Sequence, residues 1–90
     1  MKTIYIVEGG TGEYSDRRTW LYKAFKSEKD ANKAVKELNL WALKHKVSSQ
    51  SIEGIDTHYQ DEIAKKCPDP NCRIDYTGVD WRVYSCEYQD

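Results

Sequence analysis

The side chains best suited to chemistry are three cysteines and a histidine. Cys67 and Cys72 are separated by four residues in the run CPDPNC, and Cys86 follows in RVYSC. Together with His58 they form a Cys3His set, which is the ligand count of a structural zinc site. The spacing argues against metal, because zinc knuckles use tighter Cys-x2-Cys pairs, and Pro68 and Pro70 stiffen the loop against convergence of both thiolates. A Cys67–Cys72 disulfide would close a small loop, which a reducing cytosol disfavours. The favoured reading is that the thiols pack as small apolar groups while PDPN and DYTG act as rigid turns. No cofactor is implied.

A second chemical candidate is the glycine-rich run EGGTGEYSD, which superficially resembles a phosphate cradle and is followed by Arg17 and Arg18. A Walker loop requires Gly-Lys-Ser/Thr leading into a helix whose N-terminus faces the phosphates, whereas here a strand pattern follows. Glu8, Glu13 and Asp16 would also repel an anion. For catalysis, neither His45 nor His58 stands in a motif with a nucleophile or a second base, so the reading is non-enzymatic.

Composition narrows the classes further. A chain of 90 residues makes one domain, spanning 1–90, and buries only about 60 to 65% of its extended surface. Apolar residues at 39% are too many for a disordered chain, and the mean hydropathy of -0.86 leaves no run able to span a bilayer. The opening MKTIYIVEGG has a short apolar run broken by Glu8, which does not fit a secretory signal, so a cytosolic location is expected. Net charge is -1, but residues 1–47 hold ten Lys/Arg against six Asp/Glu, and residues 48–90 hold four against nine. Lys29, Lys33, Lys36, Lys44 and Lys46 give one modest basic helix face, yet the acidic second half opposes nucleic-acid binding.

These residues must be positioned by a small set of elements. KTIYIVE reads as a strand with Ile4 and Ile6 on one face and Tyr5 and Val7 on the other, and two apolar faces make it central. GGTGEYSD is expected to break the strand into a long loop, after which RRTWLYKAFK forms a second strand. Ser27 is an N-cap with Asp30 at N3, and Ala31, Ala34, Val35, Leu38, Trp41, Ala42 and His45 mark one stripe of a helix of about four turns. The chain then wanders from Lys46 to Asp56 or Thr57. THYQDEIAKK makes a short helix ended by Pro68, and VDWRVYSCEY closes the sheet with one change of face. The fold class is α+β: a three-stranded antiparallel sheet in the order β-β-α-α-β, with the main helix on one face. Six aromatic residues, Tyr5, Trp20, Tyr22, Trp81, Tyr84 and Tyr88, exceed what one helix stripe can hide. Either residues 48–66 cover the second face, or that face is an aromatic surface for a partner or a second copy.

Some of these motifs also carry a resemblance. YIVEGGTGEYSD at Tyr5 to Asp16, the Asp69–Pro70 pair, DYTG at Asp75 to Gly78 and the terminal aromatic strand resemble small uncharacterised proteins of bacteriophages and prophages, over roughly 40 of the 90 residues. The resemblance implies a phage or mobile-element accessory protein with a small α+β fold, and it brings no activity. The function expected is a non-enzymatic protein-binding module acting on a host or phage protein, with inhibition of bacterial defence as its role and homodimerisation as a further mode. Its partner-binding residues would be Tyr14, Arg17, Arg18 and Tyr76, gathered where the glycine-rich run meets DYTG. The alternative is a nucleotide or single-stranded nucleic-acid binder using the same run with Arg17 and Arg18.

The knuckle spacing generates a first prediction. Chelator treatment should leave the melting temperature unchanged and elemental analysis should find no zinc. A fall of many degrees together with about one zinc per chain would refute it.

Overall fold

Two glycines that looked like the start of a loop instead lie inside the central strand. In the computed structural model, which describes residues 2–12, 17–49, 60–74 and 77–88, the first strand β1 (Lys2–Thr11) runs through both Gly9 and Gly10. It is flanked on both sides by antiparallel neighbours, β2 (Arg18–Phe25) and β3 (Val79–Tyr88), giving the sheet order β2-β1-β3. Between β2 and β3 come helix α1 (Glu28–Lys44) and the short helix α2 (Gln60–Lys65). The α+β architecture and the central place of β1 are therefore as the sequence predicts.

The physical reason for the glycines lies in what covers them. A Cβ at Gly9 would stand 2.4 Å from the Trp20 indole, and one at Gly10 would stand 2.2 Å from the Arg17 guanidinium. Successive strand residues face opposite sides, so the bare backbone seats a flat indole on one face and a flat guanidinium on the other. Glycine weakens a strand entropically, but pairing on both sides supplies the hydrogen bonds that keep it extended.

β2 departs from regular alternation. Its register shifts between Val7 and Glu8, so Trp20 lies opposite Gly9 while Phe25 lies opposite Tyr5. Gly9 and Tyr5 share a face of β1, and the bulge thus brings Trp20 and Phe25, five residues apart, to the same side. β3 has no such shift. Its pairing with β1 runs unbroken from Lys2↔Tyr88 to Thr11↔Val79, which corrects the expected change of face. Val79, Trp81 and Val83 stand on one side, and Asp80, Arg82, Tyr84 and Cys86 on the other.

α1 packs on the first of these sides. Ser27 caps it by accepting from the Asp30 amide, and Ala31, Leu38 and Ala42 are buried along the predicted stripe. Ala34, Val35 and Trp41 pack beside them, with the Trp41 ring edge-on to Trp81 at 6.5 Å between centroids. Asn39 reaches the backbone of β3, donating to the Trp81 carbonyl at 3.2 Å and accepting from its N–H at 3.0 Å. Both groups therefore point away from β1, at the outer edge of the sheet.

At its C-terminus the helix closes with the Lys46 amide on the Leu43 carbonyl and the Val47 amide on the Ala42 carbonyl. This double closure is the Schellman pattern, with Lys46 at a positive φ of 60° in the place usually taken by glycine. The turn sends Val47, which is fully buried, directly alongside Val79, and a parallel bridge forms at Ser48. The chain does not wander here. Gly78 has a positive φ of 87°, and a Cβ on it would stand 2.6 Å from the Ser49 amide, so only glycine lets the two segments approach. The expected cap of α2 at Asp56 or Thr57 lies outside the described residues.

The segment after α2 completes the core. Asp69 is fully buried, and its Oδ2 accepts from the Trp20 Nε1 at 2.7 Å and the Trp81 Nε1 at 2.9 Å. Its Oδ1 accepts from the Asn71 amide at 2.9 Å. Trp20, Gly9 and Trp81 form one row across the three strands on the helix side, so residues 67–74 lie beside α1 on the same face. Cys72 is buried there as part of the core, and Cys67 and Ile74 pack against that core. The aromatic excess is hidden in this way: Tyr5, Trp20, Tyr22 and Trp81 all join the core under α1 and the 67–74 segment.

Three N–H donors converge on Asp69, and asparagine has only one acceptor oxygen to offer them. Asp69→Asn turns an amide N–H toward a donor and should destabilise the domain by about 3 kcal/mol. Urea unfolding measures this, and a loss below about 0.5 kcal/mol would show that the carboxylate is dispensable.

Candidate functional site

The side of the sheet opposite α1 is built by the even-numbered residues of β1 and β3. Ile6 lies between Ala24 and Tyr84, Glu8 between Leu21 and Arg82, and Gly10 between Thr19 and Asp80, while Ile4 stands beside Cys86. Among the described residues no helix covers this face, and Arg17 lies over Gly10 at one end of it. Leu21 is 59% exposed and Tyr84 41%, with Ile4 and Ile6 half-buried between them. The result is an aliphatic strip across all three strands with one aromatic ring, rather than the broad aromatic patch that was one of the two expected alternatives. The side chain of Tyr88 lies outside the described residues.

One end of the strip is charged, and its charges answer one another. Arg17 Nη2 pairs with Asp80 Oδ1 at 3.1 Å, and Arg82 approaches the other oxygen of Asp80 at 3.4 Å. Arg17 Nη1 also donates to the Gly12 carbonyl at 3.4 Å. The Tyr84 hydroxyl donates to the Glu8 carboxylate, which holds the phenol above its ordinary value, and desolvation adds to the rise. Two arginines thus face two carboxylates on a neutral platform.

The residues predicted from sequence to bind a partner divide. The end of β1 does meet the start of β3, through Thr11 Oγ1 donating to the Gly78 carbonyl at 2.7 Å and the Gly12 amide donating to Thr77 Oγ1 at 3.0 Å. Arg17 stands at this junction but is engaged with Asp80, and Arg18 is exposed on β2 opposite Thr11. Tyr14 and Tyr76 lie outside the described residues.

The cysteines divide as well. Cys86 is exposed on the open face, while Cys67 and Cys72 belong to the core on the helix side, and His58 lies outside the described residues. Among the described residues no three His, Cys, Asp or Glu side chains group as metal ligands. Cys67 N–H bonds the Ala64 carbonyl in the turn that follows α2, and Cys72 N–H bonds the Asp69 carbonyl in a second turn. Cys72 donates to Cys67, which holds the Cys67 thiol below its ordinary value despite partial burial, and the Asp69 amide adds to the lowering. The same bond pushes the Cys72 thiol well up, reinforced by desolvation.

No protein family, curated protein or solved structure matches the chain. Its functional reading therefore rests on these surfaces. The open strip could have been found from the alternation of Ile4, Ile6, Tyr84 and Cys86. The roles of Asp80 and Arg82 could not, because they depend on a cross-strand register that no local pattern encodes.

The berth at Gly10 gives a thermodynamic prediction. Gly10→Ala displaces the guanidinium, so Gly10→Ala and Arg17→Ala should each cost about 1 kcal/mol, and the double variant should cost no more than the larger single. Additive losses in urea unfolding would show that the two positions act independently.

Proposed function

We propose that the protein is a non-enzymatic protein-binding module and that its contact surface is the strip of Ile4, Ile6, Leu21 and Tyr84. The observation that carries this reading is the pairing of charges beside exposed apolar side chains. Burying an unpaired charge at an interface costs several kcal/mol, but Arg17 and Arg82 are paired with Asp80 and can be covered with less of that penalty. The fitting partner is a protein that offers an apolar surface with a weakly charged rim, Tyr84 and Arg82 being of the types that anchor such contacts.

The same arrangement argues against the nucleotide alternative. Gly9 and Gly10 are committed to strand pairing rather than to a cradle of free amides, and Arg17 is held by Asp80. On the resemblance to small phage proteins, the partner is a host or phage protein in the host cytosol, and occluding a defence protein is the role such binding would serve.

The test is affinity purification from expressing bacterial cells with three proteins: wild type, the Leu21→Glu/Tyr84→Ala double variant and the Arg17→Ala/Arg18→Ala double variant, each confirmed folded by circular dichroism. The partner recovered with wild type should bind the Leu21/Tyr84 variant roughly 30-fold more weakly, and the arginine variant roughly tenfold more weakly because Asp80 keeps only its 3.4 Å contact with Arg82. Co-purified nucleotide absorbance that disappears with the arginine variant would establish the alternative instead.

A further inference from the structure

The outer surface of α1 carries side chains that neither the core nor the open strip uses. A helix turns about 100° per residue, so Ala31, Leu38 and Ala42, which are buried against the sheet, stand on the side opposite Leu40. Around Leu40 itself, within about 60° to either side, lie Lys29, Lys33, Lys36, Leu43 and Lys44. Leu40 is 53% exposed and Leu43 45%. The four lysines are exposed along about 22 Å of helix. Among the described residues none of the four has an ion-pair partner. Glu37 stands at one rim of this arc with Asp30 just beyond it, while Asp69 is buried and Asp80 lies on the far face of the sheet.

This surface differs from the open strip in the state of its charges. Arg17 and Arg82 are held by Asp80, whereas the lysines of α1 are uncompensated, and an ordinary protein surface laid over them would strip their hydration without return. A polyanion offsets that cost through attraction and the release of its counterions. The choice of lysine narrows the polyanion. The arginine fork suits a fixed carboxylate or phosphate, while lysine is a hydrated point charge that suits a diffuse anionic surface. The leucines narrow it again. The phosphates of a nucleic acid offer Leu40 and Leu43 no apolar contact, but the headgroup layer of a bilayer presents anionic groups with acyl chains immediately beneath.

We propose that the outer face of α1 docks the domain on anionic lipid headgroups, with Lys29, Lys33, Lys36 and Lys44 at the phosphates and Leu40 and Leu43 entering the headgroup layer. The attachment is reversible and salt-sensitive, because four lysines and two shallow leucines fall far short of a spanning anchor. α1 covers one side of the sheet, and Ile4, Ile6, Leu21 and Tyr84 lie on the other, so a domain held this way turns its open strip away from the lipid. The inference does not depend on what the strip itself binds.

The test is co-sedimentation of the full chain with two kinds of vesicle, phosphatidylcholine alone and equal parts phosphatidylglycerol and phosphatidylcholine, with folding checked by circular dichroism. Wild type should partition onto the anionic vesicles at least roughly tenfold more strongly than onto the neutral ones, and raising sodium chloride from about 50 mM to about 500 mM should release it. Lys33→Gln/Lys36→Gln should weaken partitioning about 25-fold, each lysine beside an anionic leaflet being worth about fivefold. Leu40→Ser/Leu43→Ser should weaken it about tenfold, and Leu21→Glu/Tyr84→Ala, on the far face, should match wild type. Equal partitioning onto both vesicles, or none onto the anionic ones at low salt, would overturn the proposal. So would duplex DNA or polyglutamate that outcompetes the vesicles and binds the leucine variant as well as wild type, which would assign the lysines to a nucleic acid in the first case and to an acidic protein in the second.

Discussion

A buried carboxylate held by three N–H groups ties this small domain together. Asp69 joins the 67–74 segment to β2 through Trp20 and to β3 through Trp81, and the Asn71 amide closes its own turn on it. Moving a carboxylate out of water costs several kcal/mol, and hydrogen bonds to an ionised group return about 1.5 to 3 kcal/mol each, so the net gain is small. The strong effect is one of specification. Two large indoles can sit in a core in many ways, but only one arrangement brings both Nε1 atoms to a single oxygen, and Gly9 provides the space in which Trp20 reaches it.

Much of the architecture follows from that choice. With Trp20 and Trp81 turned to one side, the aromatic mass gathers under α1 and the 67–74 segment, and the other face is left to Ile4, Ile6, Leu21 and Tyr84. A chain of this length has material for one well-filled layer contact, and it spends its large rings there. The open strip is thus the complement of the core, and its paired charges suit it to being covered.

The sequence made the elements legible where burial repeats with a regular period. The α1 stripe at Ala31, Leu38 and Ala42, the Ser27 cap and the doubly apolar central strand all express local rules. Gly9 and Gly10 misled because glycine in isolation signals a turn, and only the planar groups above and below reveal why a strand needs them. Asp69 stood between two prolines and read as a turn residue, since its partners are 49 and 12 residues away. The bulge in β2 was hidden for the same reason. Each depends on how a loop folds in three dimensions rather than on the order of residue types. At the site, the alternation exposing Ile4 and Tyr84 was readable, whereas the Asp80 bridge between two arginines required the register.

The amide of Asn39 has a consequence for what the protein avoids. A sheet edge with free peptide groups can template a foreign strand and seed aggregation, and β3 is such an edge. At its beginning the edge is already occupied: Val79 exchanges hydrogen bonds with Val47 and Ser49, and Trp81 does so with the Asn39 side chain, which stands in for one peptide of an absent fourth strand. An incoming chain finds no vacant donor or acceptor at either residue, and must begin its pairing at Val83 or later. The helix that fills the core thereby also shortens the stretch of β3 on which fibril growth could nucleate.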